Sequence, residues 1–338
     1  MTQATFQAPR EEHPFAPFVR ILGKGKTGSR SLDRGEAAAA FGMILRDEVE
    51  PLQLGAFLML LRVKEETGEE LAGFVDACRA NMVSPQTQIQ ADLDWSSYAG
   101  KKHQHPWYIL SMLLLAGAGY RVFVHGGDGH TEGRLYTEQA MSQLRLPIAS
   151  NWQQVGEQLD KHNLSYLPLR AFCPPLNTIM QLRPLLGLRS PVNTLVRMFN
   201  PLTADASIQS IFHPAYGDLH RQADSLLGQP RSLVFKGDSG EVEIKPQADT
   251  RLLLLEDSRE RELKLPRTLP DRVAPVDAPR SAPLKSLWQG DETDSYGLDA
   301  VLATTAAALL LLEPEWDLQR CRDHSLALWQ QRNPEHLS

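Results

Sequence analysis

A cluster of basic and aromatic residues at positions 101–108 could bind phosphate. Lys101, Lys102 and His103 come first, and Trp107 and Tyr108 follow at the predicted start of a helix. Cationic side chains bind phosphate, and a helix N-terminus adds the positive end of its dipole. An aromatic ring also offers a face for a nucleic-acid base. In the alternative interpretation the lysines are solvated and the aromatic pair simply begins a core helix, which we favour for Trp107 and Tyr108.

A glycine-containing loop, VHGGDGH at residues 124–130, follows a predicted strand. Glycines in this position let backbone N–H groups approach a phosphate. The loop matches neither a Walker A motif nor a dinucleotide fingerprint, and Asp128 would repel a phosphate. An ordinary turn between strand and helix is therefore the preferred interpretation. His125 and His130 have no third ligand nearby in sequence, so we predict no metal site.

Three arginines, Arg183, Arg189 and Arg197, lie in an apolar segment of helical character without a nearby acidic residue. Either they pair with carboxylates that are distant in sequence, or they bind an anionic ligand. We find no Ser-His-Asp order, no paired-carboxylate spacing and no zinc-helix motif. We therefore predict no catalytic residue from the sequence.

The charge distribution is uneven. The chain carries 35 Lys and Arg against 41 Asp and Glu, a net charge of −6, which by itself argues against a polyanionic partner. However, three long windows contain no acidic residue: 13–32, 95–127 and 161–204. The first includes Lys24, Lys26 and Arg30, and the others contain the lysines and arginines named above. This segregation predicts one positive face.

The elements that must position these residues fall into two groups. Pairs of Asp33 with Glu36 and Thr67 with Glu70 are typical capping boxes, so the first eighty residues are predicted to form a small helical domain. From about residue 95, helices alternate with strands at 121–124, 232–235 and 242–244, the last two joined by a hairpin-type turn at 237–240. A Pro-rich connector at 266–283 precedes two C-terminal helices.

Length and composition exclude several classes of protein. A chain of 338 residues with 42% hydrophobic residues is long enough for two cores. The three cysteines are too far apart for a disulfide framework, which favours the cytoplasm. The N-terminus shows no apolar signal core, and the apolar run at 300–312 is too short to span a bilayer. We therefore expect a cytoplasmic protein without a membrane segment.

Several of these segments resemble the superfamily of anthranilate phosphoribosyltransferase and pyrimidine nucleoside phosphorylase, glycosyltransferase family 3. The resemblance covers most of residues 18–250. It rests on the segments from GKG at 23–25 to FVDACR at 74–79, LLAGAGYRVFVHG at 114–126, LGLRSPVN at 186–193 and NPL at 200–202. It implies an α/β fold in which a small helical domain is hinged to a larger α/β domain with a central mixed sheet, commonly as a homodimer through the helical domain.

The motifs that make this family enzymatic are changed. The family's glycine-rich pyrophosphate loop is replaced by SYAGKK at 97–102, so Gly100, His125, Gly126 and Gly127 are interpreted as a remnant of the phosphate site. The family's adjacent Asp-Glu pair, which holds magnesium, becomes EVE at 241–243. Loss of the metal site and of the phosphate loop argues against phosphoribosyl transfer.

The departures, together with FHPAY at 212–216, resemble a branch of the family outside tryptophan biosynthesis that binds nucleic acid. We predict a helical domain at 1–90, with a contribution from about 175–200, and an α/β domain at 91–338. We further predict a homodimer that binds DNA, with RNA as a further candidate, without sequence preference and without cofactor. The alternative is a phosphoribosyltransferase or phosphorylase with an altered site, using Mg²⁺ and phosphoribosyl pyrophosphate; an inactive partner subunit is a third possibility. The predicted nucleic-acid-binding residues are all basic: Lys24, Lys26, Arg30, Lys101, Lys102, His103, Arg183, Arg189 and Arg197.

Overall fold

A computed structural model describes residues 11–129 and 131–337, so His130, considered above as a metal ligand, lies outside the described residues. The helices are α1 (Ala16–Gly23), α2 (Arg34–Leu45), α3 (Pro51–Lys64), α4 (Gly68–Asn81), α5 (Tyr108–Gly117), α6 (Thr137–Gln143), α7 (Trp152–His162), α8 (Leu169–Phe172), α9 (Pro174–Met180), α10 (Arg183–Leu186), α11 (Val192–Leu195), α12 (Tyr216–Leu226), α13 (Ala282–Gln289), α14 (Ser295–Leu312) and α15 (Leu318–Gln331). The strands are β1 (Leu93–Ser97), β2 (Val122–Gly126), β3 (Leu164–Pro168), β4 (Ala206–Ile211), β5 (Arg231–Lys236), β6 (Thr250–Glu256) and β7 (Arg259–Leu265).

The helical domain begins where the capping residues predict. Asp33 accepts the N–H of Glu36 and Thr67 accepts that of Glu70, and each glutamate returns a bond to the cap backbone. Because two otherwise unpaired N–H groups are satisfied at each start, α2 and α4 begin at defined residues. Glu70 is also buried, where it bonds the Leu32 N–H and pairs with Lys64. Local capping thus also ties the helices to one another.

The larger domain contains one mixed sheet of seven strands in the order β3-β2-β1-β4-β5-β6-β7. The first five are parallel, while β6 and β7 run antiparallel at one edge. The central strands are buried along their length, as expected of a sheet covered on both faces. The predicted architecture of a helical domain and an α/β domain with a mixed sheet is confirmed.

Two apolar clusters cover the two faces of this sheet. Val122 and Val124 point into a cluster that includes α5 and α14. Phe123, between them, points into a second cluster that joins the sheet to the helical domain, because successive strand residues face opposite sides. Residues of α9 and α11 belong to this second cluster. The helical domain therefore packs on the helices between β3 and β4 and also on α12, where Arg34 donates to the Leu226 carbonyl oxygen.

Three sequence-based expectations need correction. Residues 242–244 do not form a strand, and β5 instead pairs with β6. This segment and the residue before it carry two glutamates, Glu241 and Glu243, into the candidate site described below. Helix α13 was not predicted. Helix α14 was predicted from about residue 298, but it begins at Ser295 and spans 18 residues.

Helix α14 is, by length and composition, the one described helix that could cross a membrane. However, 67% of it is buried inside the protein, and a core helix of an α/β domain passes the same test. The absence of a membrane segment stays a prediction.

Candidate functional site

The sheet brings four loops together at one edge. In the strand order, β1 lies between β2 and β4 although the chain makes β2 and β3 first. The winding of the chain therefore reverses direction between β1 and β4, and ligands of open α/β sheets bind in the crevice at such a point, beyond the carboxyl ends of the strands. The loops after β1, β2, β4 and β5 converge there. They contain SYAGKK, the His-Gly-Gly loop, FHPAY and the segment with both glutamates.

The loop after β1 forms a small cradle for an anion, and the chain fills it with its own carboxylate. The backbone N–H groups of Ala99 and Gly100 both donate to Oε1 of Glu241, at 2.5 Å each. The Ser97 hydroxyl donates to Oε2 at 2.7 Å. Glu241 is buried. Converging backbone N–H groups are a typical phosphate-binding device, so the Glu241 carboxylate stands where the oxygens of a phosphate would be expected.

Lys101 forms the second half of this internal network. Its ammonium is fully buried and pairs with both Asp238 and Glu243. Glu243 in addition accepts the N–H of Tyr108 at 2.9 Å, which anchors the start of α5. The prediction that Lys101 contacts nucleic acid is therefore wrong, because its charge is already neutralised inside the protein.

The pKa values in this network follow from burial and from the neighbouring charges. Burial alone would lower the pKa of Lys101, but Glu243 and Asp238 outweigh it and raise that pKa. Burial raises the pKa of Glu243 to about 7, with Lys101 opposing the rise. Lys101 therefore stays charged and holds the two carboxylates together.

These residues do not fit the magnesium site that the family resemblance implies. A magnesium ion needs free carboxylate oxygens, but those of Asp238 and Glu243 surround the Lys101 ammonium, and that of Glu241 is held by the cradle. Among the residues that the structure describes, no three His, Cys, Asp or Glu side chains are grouped to hold a metal ion. The ammonium supplies the positive charge that a metal ion would otherwise bring.

The remnant of the phosphate loop is closed. His125 is fully buried at the end of β2, where Nδ1 bonds the Tyr98 hydroxyl at 2.6 Å and Nε2 lies 3.2 Å from Oδ1 of Asp94. A Cβ atom on Gly126 would lie 2.4 Å from the Ser97 carbonyl oxygen, so only glycine allows β1 and β2 to approach here. His125, Gly126 and Gly127 are all buried. In this conformation the His125 side chain is enclosed and cannot contact a ligand.

Arg197 is a structural residue. It is buried, and Nη1 donates to the carbonyl oxygens of Ser210 and Gly240 at 2.8 Å each. Burial lowers its pKa, and the charge of Glu241 opposes that effect. Arg197 therefore ties the end of β4 to the turn after β5. Its guanidinium is occupied by these carbonyl oxygens, although Arg197 also lines the smaller cavity described next, so its contact with phosphates stays a prediction.

Arg183 and Arg189 belong to a group of like charges. Arg183 donates to the Thr131 hydroxyl at 2.9 Å, and Arg189 lines a cavity of about 130 Å³ together with Arg62. Burial lowers the pKa of Arg189, and the positive charges of Arg134 and Arg183 lower it further. Arg134, Arg183 and Arg189 form no ion pair with a described carboxylate, although Glu66 also lines the smaller cavity, and neighbouring arginines of this kind favour an anion.

The remaining predicted residues divide between two places. Lys102 and His103 are exposed and line a larger cavity of about 610 Å³. Lys24 and Lys26 are exposed in the loop between α1 and α2, and Arg30 of that loop pairs with Glu36. None of these three loop residues lines either cavity. Neither cavity is lined by residues from all three of the windows that lack acidic residues.

The larger cavity, hereafter the basic cleft, also contains residues that sequence reasoning missed. They are Arg134, Lys236, Lys245 and Arg251, and beside them lies Phe212 of the FHPAY segment. Its two acidic residues are neutralised, Asp238 by Lys101 and Asp249 by Lys264. Lys236 is the last residue of β5 and directly follows the predicted strand at 232–235. A basic residue at the carboxyl end of a predicted strand was the signal that could have identified it.

Comparison with known proteins places this site in a family. The family model for the helical bundle domain of a glycosyl transferase family matches residues 18–82, and the model for its α/β domain matches residues 109–328. The chain is 29% identical over 246 residues to the Escherichia coli uncharacterized protein YbiB, covering 72% of this chain and 76% of that protein. It is 27% identical over 308 residues to an anthranilate phosphoribosyltransferase of Methylocella silvestris, covering 88% and 87%.

Solved structures agree with this fold. Anthranilate phosphoribosyltransferase from Thermus thermophilus superposes with a TM-score of 0.76 at 22% identity, over 95% of this chain and 99% of that one. The Saccharomyces cerevisiae enzyme in complex with PRPP and Mg gives 0.78 at 15% identity, over 96% of each chain. Because the family models together match most of the sequence, this chain belongs to glycosyltransferase family 3, the anthranilate phosphoribosyltransferase-like superfamily.

Proposed function

We propose that this protein binds nucleic acid, DNA above all, without sequence preference, and that the phosphate backbone lies in the basic cleft. The observation that carries the proposal is that three lysines, Lys102, Lys236 and Lys245, line the basic cleft and are exposed to solvent. None of them lies within ion-pairing distance of a described carboxylate, although the charge of Lys245 helps to lower the pKa of Asp238. Cations without counter-ions in a groove attract a polyanion and release its condensed counterions on binding.

The internal network supports the same proposal. The cradle that would hold a small phosphate is filled by Glu241, whereas the cleft outside it keeps its free positive charge. A ligand that carries phosphates along its length can use the outer cations without entering the cradle. A nucleic-acid backbone has this property, and binding through it requires no metal ion.

The test is fluorescence anisotropy with several unrelated oligonucleotides across a salt series. Each phosphate contact on duplex DNA contributes about −0.9 to the log-log salt slope. The double variant K236A/K245A is expected to reduce the magnitude of that slope by about 2. The matched control is R145A/K161A, which removes two exposed charges that line a separate cavity and is expected to leave the slope unchanged.

Weak binding of wild type at low salt, micromolar or above, contradicts the proposal. Equal effects of the cleft variant and its control show that binding does not occur at the basic cleft. Strong dependence on oligonucleotide sequence contradicts the absence of sequence preference.

Family membership favours a second candidate, a phosphoribosyltransferase or phosphorylase with an altered substrate site. The named relatives support it better than they support nucleic-acid binding, since three of them are transferases by name. The geometry opposes it, because an incoming pyrophosphate must displace Glu241 and a metal ion must displace the Lys101 ammonium. Magnesium-dependent consumption of phosphoribosyl pyrophosphate with an amine or base acceptor would establish this candidate instead.

We also propose a homodimer through the helical domain, acting in the cytoplasm. Leu52 and Val63 on α3 are 71% and 84% exposed. They lie eleven residues apart, about three helical turns, and therefore share one face of the helix. Exposed apolar side chains on one face favour an interface with a second copy.

A further inference from the structure

Phe212 is a large aromatic residue that the fold leaves in water. It follows the last residue of β4, and its side chain is 50% exposed, whereas the residue before it, Ile211, is buried. Phe212 lines both the basic cleft and the smaller cavity beside it. The ring therefore stands on the ridge between two cavities rather than in the apolar core.

The neighbours of Phe212 hold it in this place. A Cβ atom on Gly240 would lie 3.5 Å from the ring, so this glycine backbone approaches the ring closely. The imidazole of His213 packs edge-on, with ring centroids 4.9 Å apart. Arg197 bonds the Gly240 carbonyl and so fixes the same turn from below. The ring is thus supported on the protein side and remains half exposed.

Positive charge lies on both sides of the ridge. Lys102 and Lys236 line the basic cleft on one side. Arg62 and Arg189 line the smaller cavity on the other, together with one acidic residue, Glu66, whose pKa is raised by burial. A phosphodiester strand that crosses the ridge meets cations before and after Phe212, and an unpaired base of that strand can then stack on the ring. In a duplex the bases are already stacked and paired inside the helix, so their faces are not available to a side chain.

We propose, on the basis of the proposed nucleic-acid binding, that the preferred ligand is single-stranded and that one unpaired base stacks on Phe212. The chemistry recognised is an aromatic base on a flexible phosphodiester chain, which single-stranded DNA and single-stranded RNA share. Stacking of a base on an aromatic side chain contributes about 5- to 150-fold in affinity by alanine substitution.

The test measures anisotropy with four labelled probes: a 20-nucleotide DNA strand of mixed sequence, the RNA of the same sequence, a blunt DNA duplex of that sequence and an unrelated 20-nucleotide DNA strand. The proteins are wild type, F212A, F212W and L326A. Leu326 is an exposed apolar residue on α15, 42% exposed, and serves as the matched control. Thermal unfolding by circular dichroism confirms that each variant is folded.

We expect F212A to weaken both DNA strands about 10-fold and to leave the duplex unchanged, while F212W and L326A bind as wild type does. An equal loss for strand and duplex, or no loss at all, overturns this inference while leaving the proposed function intact. If wild type binds none of the probes, the proposed function fails first. The RNA probe shows whether one or both kinds of single strand are bound.

Discussion

Replacement of Glu241 by alanine is expected to open the anion cradle. The side chain now satisfies two backbone N–H groups, of Ala99 and Gly100, and the Ser97 hydroxyl. Removal of the carboxylate leaves three converging donors around an enclosed space. Such a space is an anion site that the native protein keeps filled.

The size of the effect follows from these three bonds. A buried donor without an acceptor costs about 1–3 kcal/mol, and water that enters the space recovers part of this cost. We therefore expect E241A to lower the free energy of unfolding by about 2–4 kcal/mol. A phosphate ion at ten times its dissociation constant would then restore about 1.4 kcal/mol.

The assay is urea unfolding at pH 7.5, in phosphate and in chloride of equal ionic strength. E241Q is the matched variant, because its amide oxygen still accepts the N–H groups while the side chain still fills the cradle. We expect phosphate, relative to chloride, to stabilise E241A more than it stabilises wild type and E241Q, which share the basic cleft but have the cradle filled.

Two results would refute this reasoning. If E241A unfolds at the same urea concentration as wild type, the Glu241 contacts do not hold the cradle in solution. If phosphate stabilises wild type as much as E241A, the cradle is already open to anions. In that second case the physical argument against a phosphoribosyltransferase loses its main support.

Three further predictions concern stability and assembly. K101M leaves two buried carboxylates without their cation, so we expect the free energy of unfolding at pH 8 to fall by about 3–5 kcal/mol. The loss should shrink as the pH is lowered and a carboxylate takes up a proton, and urea unfolding across a pH series measures it. Burial lowers the pKa of His220 to about 3, below that of the unfolded chain, so the unfolded chain binds the proton first below about pH 6.5. The stability of wild type relative to H220N should therefore fall by about 2 kcal/mol between pH 6.5 and 5, and a constant difference would contradict this. L52K/V63K should convert a dimer to the 37.8 kDa monomer in size-exclusion chromatography with light scattering; a monomeric wild type at every concentration would exclude the dimer.

Local rules determined much of the fold from the sequence. The capping boxes at Asp33 and Thr67 predicted the starts of two helices because the donor and acceptor are three residues apart. The strand predicted at 121–124 is observed as Val122–Gly126, since β-branched and aromatic residues before glycine indicate a strand that ends there. The family resemblance then supplied the arrangement of the two domains.

Only the tertiary structure decided what the site residues do. In sequence Lys101 is identical in kind to Lys102, yet one is enclosed by Asp238 and Glu243 and the other is exposed in the cleft. The contacts that distinguish them join residues about 140 positions apart, and no local pattern reports such a pairing. The order of the parallel strands brings these loops to one edge, and burial then makes pairing with a carboxylate obligatory for one lysine while leaving its neighbour free for a ligand.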